Sequence, residues 1–223
     1  MKKSLFAEAV LKFLLGVLLV GLLIFLPAGT LGWQGGWLLM GILFLPMFCA
    51  GLVMVKKNPN LLRSRLDVRE SRKTQDTVVK LSGLMFVAGF VVAGLDFRFS
   101  WLMLPAWINW VAAVVFLIAY ILYAEVLREN AYLSRTIEVQ ENQKVVDTGL
   151  YGIVRHPMYA VTLLLFLSMP FVLGSLLSFL CFLPYPFLIA KRLLDEEAFL
   201  EKELTGYSEY KQKVKYRLIP GVW

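Results

Sequence analysis

From Pro157 to Ala190 the chain runs for 34 residues without one charged side chain. A bilayer core about 30 Å thick takes about 20 apolar residues per helix, so this run is long for one crossing and short for two full ones. Within hydrocarbon a chain must satisfy its backbone polar groups internally, which leaves the helix as the ordinary solution. Pro170, Gly174 and Ser175 lie near the middle of the run and predict a tight helical hairpin with two short arms. Four more uncharged runs precede it: about Phe13 to Pro27, Trp33 to Val55, Leu81 to Leu95 and Leu102 to Leu122. The expected fold is therefore all-α, a polytopic membrane helix bundle of about six transmembrane helices. With 59% hydrophobic and 17% charged residues, an ordinary soluble domain is excluded.

Charge tests the count. With six spans and a cytoplasmic N-terminus, the inward segments are the N-terminus, 56–80, 128–155 and the C-terminal region. They hold 22 of the 23 Lys and Arg residues, leaving only Arg98 outside. Basic residues accumulate on cytoplasmic loops, so the six-span arrangement with both termini cytoplasmic is preferred over five. The net charge of +7 is topological and lipid-facing and does not point to nucleic acid. Trp33, Trp37, Trp101 and Trp107 fall at the outer edges, where an interfacial aromatic belt is expected. Cys49 and Cys181 sit inside apolar runs and read as small core residues; without a Cys/His cluster, no metal is expected. The basic segment 56–80 reads as an amphipathic connector on the anionic inner leaflet.

Polar chemistry concentrates in two pieces of the last 100 residues. The first runs from Glu125 to Tyr159 and contains the only histidine, His156, between Arg155 and Pro157. Gly149 and Gly152 bracket Tyr151 and permit a close turn, and Pro157 suits the first turn of a helix. The second piece follows the uncharged run. There Arg192 and Glu196 are four apart and share a helix face, beside Asp195 and Glu197. An arginine and a histidine at the lip of a span, as at Arg155 and His156, are costly unless something uses them. Alone, each piece also reads as ordinary surface: a structural histidine at a helix start, and a solvated helix with i,i+4 pairs.

Taken together, the two pieces resemble the isoprenylcysteine carboxyl methyltransferase family and its phospholipid N-methyltransferase relatives. The resemblance rests on Q-x-x-Q-K-V-V-D-T-G-L-Y at Gln140–Tyr151, RHPMY at Arg155–Tyr159, and the uncharged hairpin. R-x-x-x-E-E at Arg192–Glu197, G-Y-x-x-Y from Gly206 and L-I-P at Leu218–Pro220 complete it. It covers roughly Asn130 to Pro220 and implies S-adenosyl-L-methionine as cofactor, bound by the loop, the hairpin start and the cytosolic C-terminal helix without a Rossmann fold. By position, Gln140, Gln143, Lys144, Val145, Val146, Tyr151, His156, Pro157, Met158 and Tyr159 would line that cofactor. Glu196 would take its ammonium group, and Arg192 would face the substrate. The resemblance thus names Arg192, Glu196 and His156 as catalytic. A histidine that some relatives carry at the position of Gln143 is absent. Residues 1–126 then form four transmembrane helices with their connector, and 127–223 the methyltransferase-like region.

The implied activity is methylation of a carboxylate on an amphiphilic, lipid-linked or prenylcysteine-like substrate, a nucleophile already ionised at pH 7. Amine N-methylation is the first alternative and would need a base. The ending YRLIPGVW with RHP-x-Y also resembles sterol reductases that use NADPH, a second enzyme alternative. A small assembly factor or transporter is the non-enzyme alternative; transport predicts polar residues deep in the spans, which the sequence places sparingly.

Overall fold

The apolar runs form helices longer than their charge-free cores, because backbone hydrogen bonding continues until a breaker or an exposed cap intervenes. The computed structural model describes residues 2–66, 73–130, 132–133 and 139–223. Its first helices are α1 (Lys2–Ala28), α2 (Gln34–Lys57) and the short α3 (Pro59–Leu66), followed by α4 (Lys73–Phe99) and α5 (Ala106–Glu129). After the loop come a 3-10 turn at Gly149–Gly152, α6 (Pro157–Leu173), α7 (Leu176–Phe182), α8 (Tyr185–Glu203) and α9 (Tyr207–Lys213). Part of the predicted 56–80 connector, residues 67–72, lies outside the described residues.

Among the described residues, five segments are long and apolar enough to cross a bilayer: Leu5–Ala28, Gln34–Lys57, Gln75–Phe99, Ala106–Glu129 and Leu176–Glu203. Together they make a multi-pass membrane protein. α1 shows the pattern. Leu11, Leu14, Leu15, Leu18, Leu22 and Leu26 are exposed on the protein surface while Ile24, Phe25 and Ala28 are buried. Apolar exposure on that scale requires a hydrocarbon solvent.

The uncharged run turns where glycine permits it. Gly174 follows α6 with φ +73°, in the left-handed region, and Ser175 caps α7 by accepting from Ser178 N. Pro170 lies inside α6, and its carbonyl accepts from Ser175 N at 2.9 Å, closing the turn from the helix side. The arms are unequal. α6 has 17 residues, about 26 Å at 1.5 Å per residue. The second arm continues through α7 and a break at Leu183–Pro184 into α8, which runs on to Glu203. The expectation of two short arms therefore holds only for the first: the charged residues after Ala190 extend α8 instead of ending it. α6 packs antiparallel on α5, tied at the far end by Asn109 Nδ2 to Val172 O (2.9 Å) and Leu104 N to Gly174 O (2.7 Å).

Helix contacts are close where side chains are absent. A Cβ on Gly94 would meet Ile24 O at 2.6 Å, so α1 and α4 touch nearly backbone to backbone. Phe182 of α7 fills the notch at Gly89 and packs edge-on against Phe86. Asp96 is fully buried at the far end of α4, where its carboxylate accepts from Ser175 Oγ (2.5 Å) and Leu102 N (2.7 Å) and holds the hairpin turn. Two expectations change. Trp33 is buried and stacked on Phe97, a core residue and not part of a belt, whereas Trp37, Trp101 and Trp107 are exposed. Cys49 is exposed and Cys181 only partly covered, since each falls on an outward helix face.

Candidate functional site

The last described loop, the start of α6, the end of α8 and α9 converge on one cavity. Three local devices bring them together. The 3-10 turn depends on Gly149 at φ +53°, and a Cβ there would lie 2.7 Å from the Glu129 carboxylate. That carboxylate instead accepts from Thr148 Oγ1 at 2.8 Å, pinning the loop to the end of α5. Pro157 opens α6 at its first position and is buried. Finally, Leu204, Tyr207, Tyr210 and Val214 bury together against Val139, Val145 and Leu200, gathering α8, α9 and the loop.

Behind the cavity wall sits an ionic knot centred on Glu197. Its Oε1 accepts from Arg155 Nε at 2.7 Å and lies 3.2 Å from His156 Nε2. Its Oε2 accepts from Arg217 Nε at 2.8 Å. Arg155, His156 and Glu197 are all buried. Main-chain bonds reinforce the knot. Arg155 N donates to Tyr216 O and His156 N to Arg217 O, both at 2.9 Å. Arg155 Nη1 reaches Val214 O (2.7 Å) and Lys215 O (2.8 Å). Residues 214–217 thus strap the Arg-His-Pro corner. A carboxylate gripped by two guanidiniums is ionised and only accepts, so the His156 nitrogen facing it carries the proton.

A second polar cluster in the cavity is built on Tyr159. Its hydroxyl donates to Glu196 Oε2 at 2.5 Å and accepts from Arg192 Nε at 3.1 Å. The Arg192–Glu196 pair expected on one helix face is therefore joined through a buried phenol from α6. Asp195 points elsewhere and accepts from Gln75 Nε2 at 2.9 Å, fastening α8 to α4. The neighbouring carboxylates 195, 196 and 197 have three separate tasks because 100° per residue sends them to three faces.

Of the residues singled out in the sequence, Gln143, Lys144, Val145, Val146, Tyr151, His156, Met158, Tyr159, Arg192 and Glu196 line the cavity. Lys144 is exposed at its rim. Gln140 and Pro157 do not line it. Gln140 acts one layer back: its Nε2 donates to Tyr132 O (2.9 Å) and its main-chain N to Gln143 Oε1 (2.8 Å). Sequence reasoning missed Asn130, Tyr132, Leu133, Arg155, Leu200, Leu204, Tyr207 and Tyr210 as lining residues. The G-Y-x-x-Y spacing was the signal for the two tyrosines. Three lining phenols stay protonated. Burial pushes Tyr151, Tyr207 and Tyr210 well above the ordinary range, and for Tyr207 the Glu197 carboxylate adds to it. Tyr210 OH donates to Tyr151 O at 2.8 Å, so α9 also supports the 3-10 turn.

The cavity presents both signs of charge, several hydroxyl donors and apolar wall from Val145, Val146, Leu200 and Leu204. Such a lining suits a small zwitterionic ligand with an aromatic part better than a purely apolar one.

The phospholipid methyltransferase family profile matches residues 107–205, which covers α5 but for its first residue, the loop, the hairpin and all of α8. Among curated proteins, the chain is similar to the Delta(14)-sterol reductase TM7SF2 of Mus musculus, 34% identical over 91 residues. That stretch is 40% of this chain and 22% of the reductase, so the chain spans under a quarter of that relative's length.

Proposed function

We propose that this chain is an integral-membrane methyltransferase that uses S-adenosyl-L-methionine to methylate the carboxylate of a lipid-linked, prenylcysteine-like acid. The observation that carries the reading is the convergence of the two polar pieces, from either side of the hairpin, on one cavity whose lining, Tyr207 and Tyr210 apart, belongs to the region matched by the methyltransferase profile. The lining fits the cofactor. S-adenosyl-L-methionine, when bound, supplies a methyl group on a positively charged sulfur. Glu196 gives its ammonium group a charge-assisted partner, and Lys144 at the rim gives its carboxylate one. Val145, Val146 and Tyr151 offer an apolar and aromatic wall.

The chain's own contribution is alignment and exclusion of water. Tyr159 fixes both Glu196 and Arg192, so the group that holds the cofactor and the group that faces the acceptor cannot drift independently. Arg192 orients the acceptor carboxylate, which needs no deprotonation. Removing water favours a step that cancels opposite charges. Charge segregation supports a cavity and two termini on the cytoplasmic side, with α6 as a short sixth span.

A second reading comes from the sterol reductase likeness. Lys144 and Arg192 also suit the phosphates of a nicotinamide dinucleotide. A third follows from the profile's description, with an amine head group as acceptor and His156 as the base. Titrating purified protein with S-adenosyl-L-methionine and with NADPH separates the first two. Incubation with labelled S-adenosyl-L-methionine and membrane lipid separates O- from N-methylation, because a methyl ester is lost in base and an N-methyl group is not. Binding of NADPH without S-adenosyl-L-methionine would overturn the proposal.

A further inference from the structure

α3 is a short helix whose inward face ends in a charge. Asn58 Oδ1 caps it by accepting from Leu61 N at 3.1 Å, and Lys12 Nζ ties down Leu66 O at 2.8 Å. Leu61 and Leu62 are buried, one turn before Arg65 on the same face, while Arg63 points out and is exposed. A basic residue that served only the anionic membrane surface would point the way Arg63 does.

Arg65 instead reaches between α5 and α6. Its Nη2 approaches the Met158 sulfur at 3.9 Å, and its guanidinium lies 5.8 Å from the centre of the Tyr123 ring. Its Nε is buried and has no hydrogen-bond partner among the described residues. A guanidinium carries five N–H donors and no acceptor. A thioether and an aromatic face are weak company for it, and a buried donor left unmade costs free energy. Met158 lines the cavity, so Arg65 stands on the other side of a single side chain from the proposed reaction space.

We propose that Arg65 is the receptor for the oxyanion of an amphiphilic ligand, a carboxylate or phosphate monoester on a lipid chain, lodged between α3, α5 and α6. Planar bidentate capture would satisfy Nε, which lacks a partner among the described residues, together with a terminal N–H of the same fork. The inference deepens the methyl-transfer reading by making Arg65 the residue that first receives the acceptor's anionic head, before Arg192 orients the carboxylate for transfer, and it rests on that reading for the ligand's fate. α3 lies outside residues 107–205, so the site draws on a part of the chain the family profile does not describe.

The test measures binding without cofactor. The full chain in phosphatidylcholine nanodiscs is titrated with oleate, oleyl phosphate and oleyl alcohol, and separately with S-adenosyl-L-methionine. Oleate and oleyl phosphate are expected to bind the native protein, and the tighter of the two identifies the head group. Arg65→Gln should weaken the anions about tenfold or more and leave oleyl alcohol unchanged, as expected for a lost charge-assisted bond. Arg65→Lys, which keeps the charge but not the fork, should fall between. Should Arg65→Gln fail to fold, the anion-to-alcohol affinity ratio of Arg65→Lys gives the same reading. Equal anion affinity in native and Arg65→Gln protein, or an equal loss for the alcohol, overturns the proposal. Absence of S-adenosyl-L-methionine binding in the same preparation would instead sink the methyl-transfer reading.

Discussion

Glu197→Gln is the substitution whose outcome the structure defines most closely. It keeps the shape of the side chain and removes only its charge. Glu197 is 3% exposed, and its two oxygens serve Arg155, His156 and Arg217. Removing one member of a buried ion pair typically costs about 3–5 kcal/mol, because a charge is left uncompensated. Two features move this case to the lower end. The Arg217 side chain is 28% exposed and can turn to water. Arg155 keeps the carbonyls of Val214 and Lys215 through Nη1. The glutamine also retains one acceptor oxygen. The expected loss is therefore about 3 kcal/mol. Glu196→Gln is the control. It is one residue away and only partly buried, and its tyrosine partner keeps Arg192; one weakened hydrogen bond costs about 1 kcal/mol. Equilibrium unfolding of both variants in mixed micelles, followed by helical circular dichroism, measures the difference. Equal stability of the two variants, or a Glu197→Gln loss below that of Glu196→Gln, refutes the assignment of Glu197 as the keystone.

Function should divide the other way. Glu196→Gln is expected to weaken S-adenosyl-L-methionine binding about tenfold or more by titration calorimetry, through loss of a charge-assisted bond. Arg192→Ala should depress methyl transfer while cofactor affinity stays within about threefold, read by pairing calorimetry with a labelled-methyl assay. Gly149→Ala places a Cβ at left-handed φ against the Glu129 carboxylate, so about 1–2 kcal/mol of strain is expected together with a looser loop. Faster proteolysis of the 139–149 region in that variant would report it.

Much of the bundle was legible because a bilayer imposes a coarse rule. Charge-free length counts helices, and Gly174 with Ser175 marks the hairpin turn by local backbone chemistry. What was not legible is orientation about each helix axis. Trp33 and Trp37 are four apart and look equivalent in sequence, yet one packs on Phe97 and the other faces out. Arg63 and Arg65 differ in the same way. The cavity was half visible. The motifs named Tyr159, Arg192 and Glu196 but not that the Tyr159 phenol joins the other two. Arg155 and Arg217 are 62 positions apart, and no local periodicity signals that both grip Glu197.

The strap over the Arg-His-Pro corner has a consequence for biogenesis. Its carbonyls, from residues 214–217, are made some sixty residues after the Arg155 and His156 donors whose hydrogen bonds they accept. Both arms of the hairpin must therefore leave the ribosome, and α6 and α8 must settle, before the corner finds its last acceptors. A nascent chain interrupted in α9 would keep every membrane-crossing segment and still lack the clasp that holds its only histidine in place.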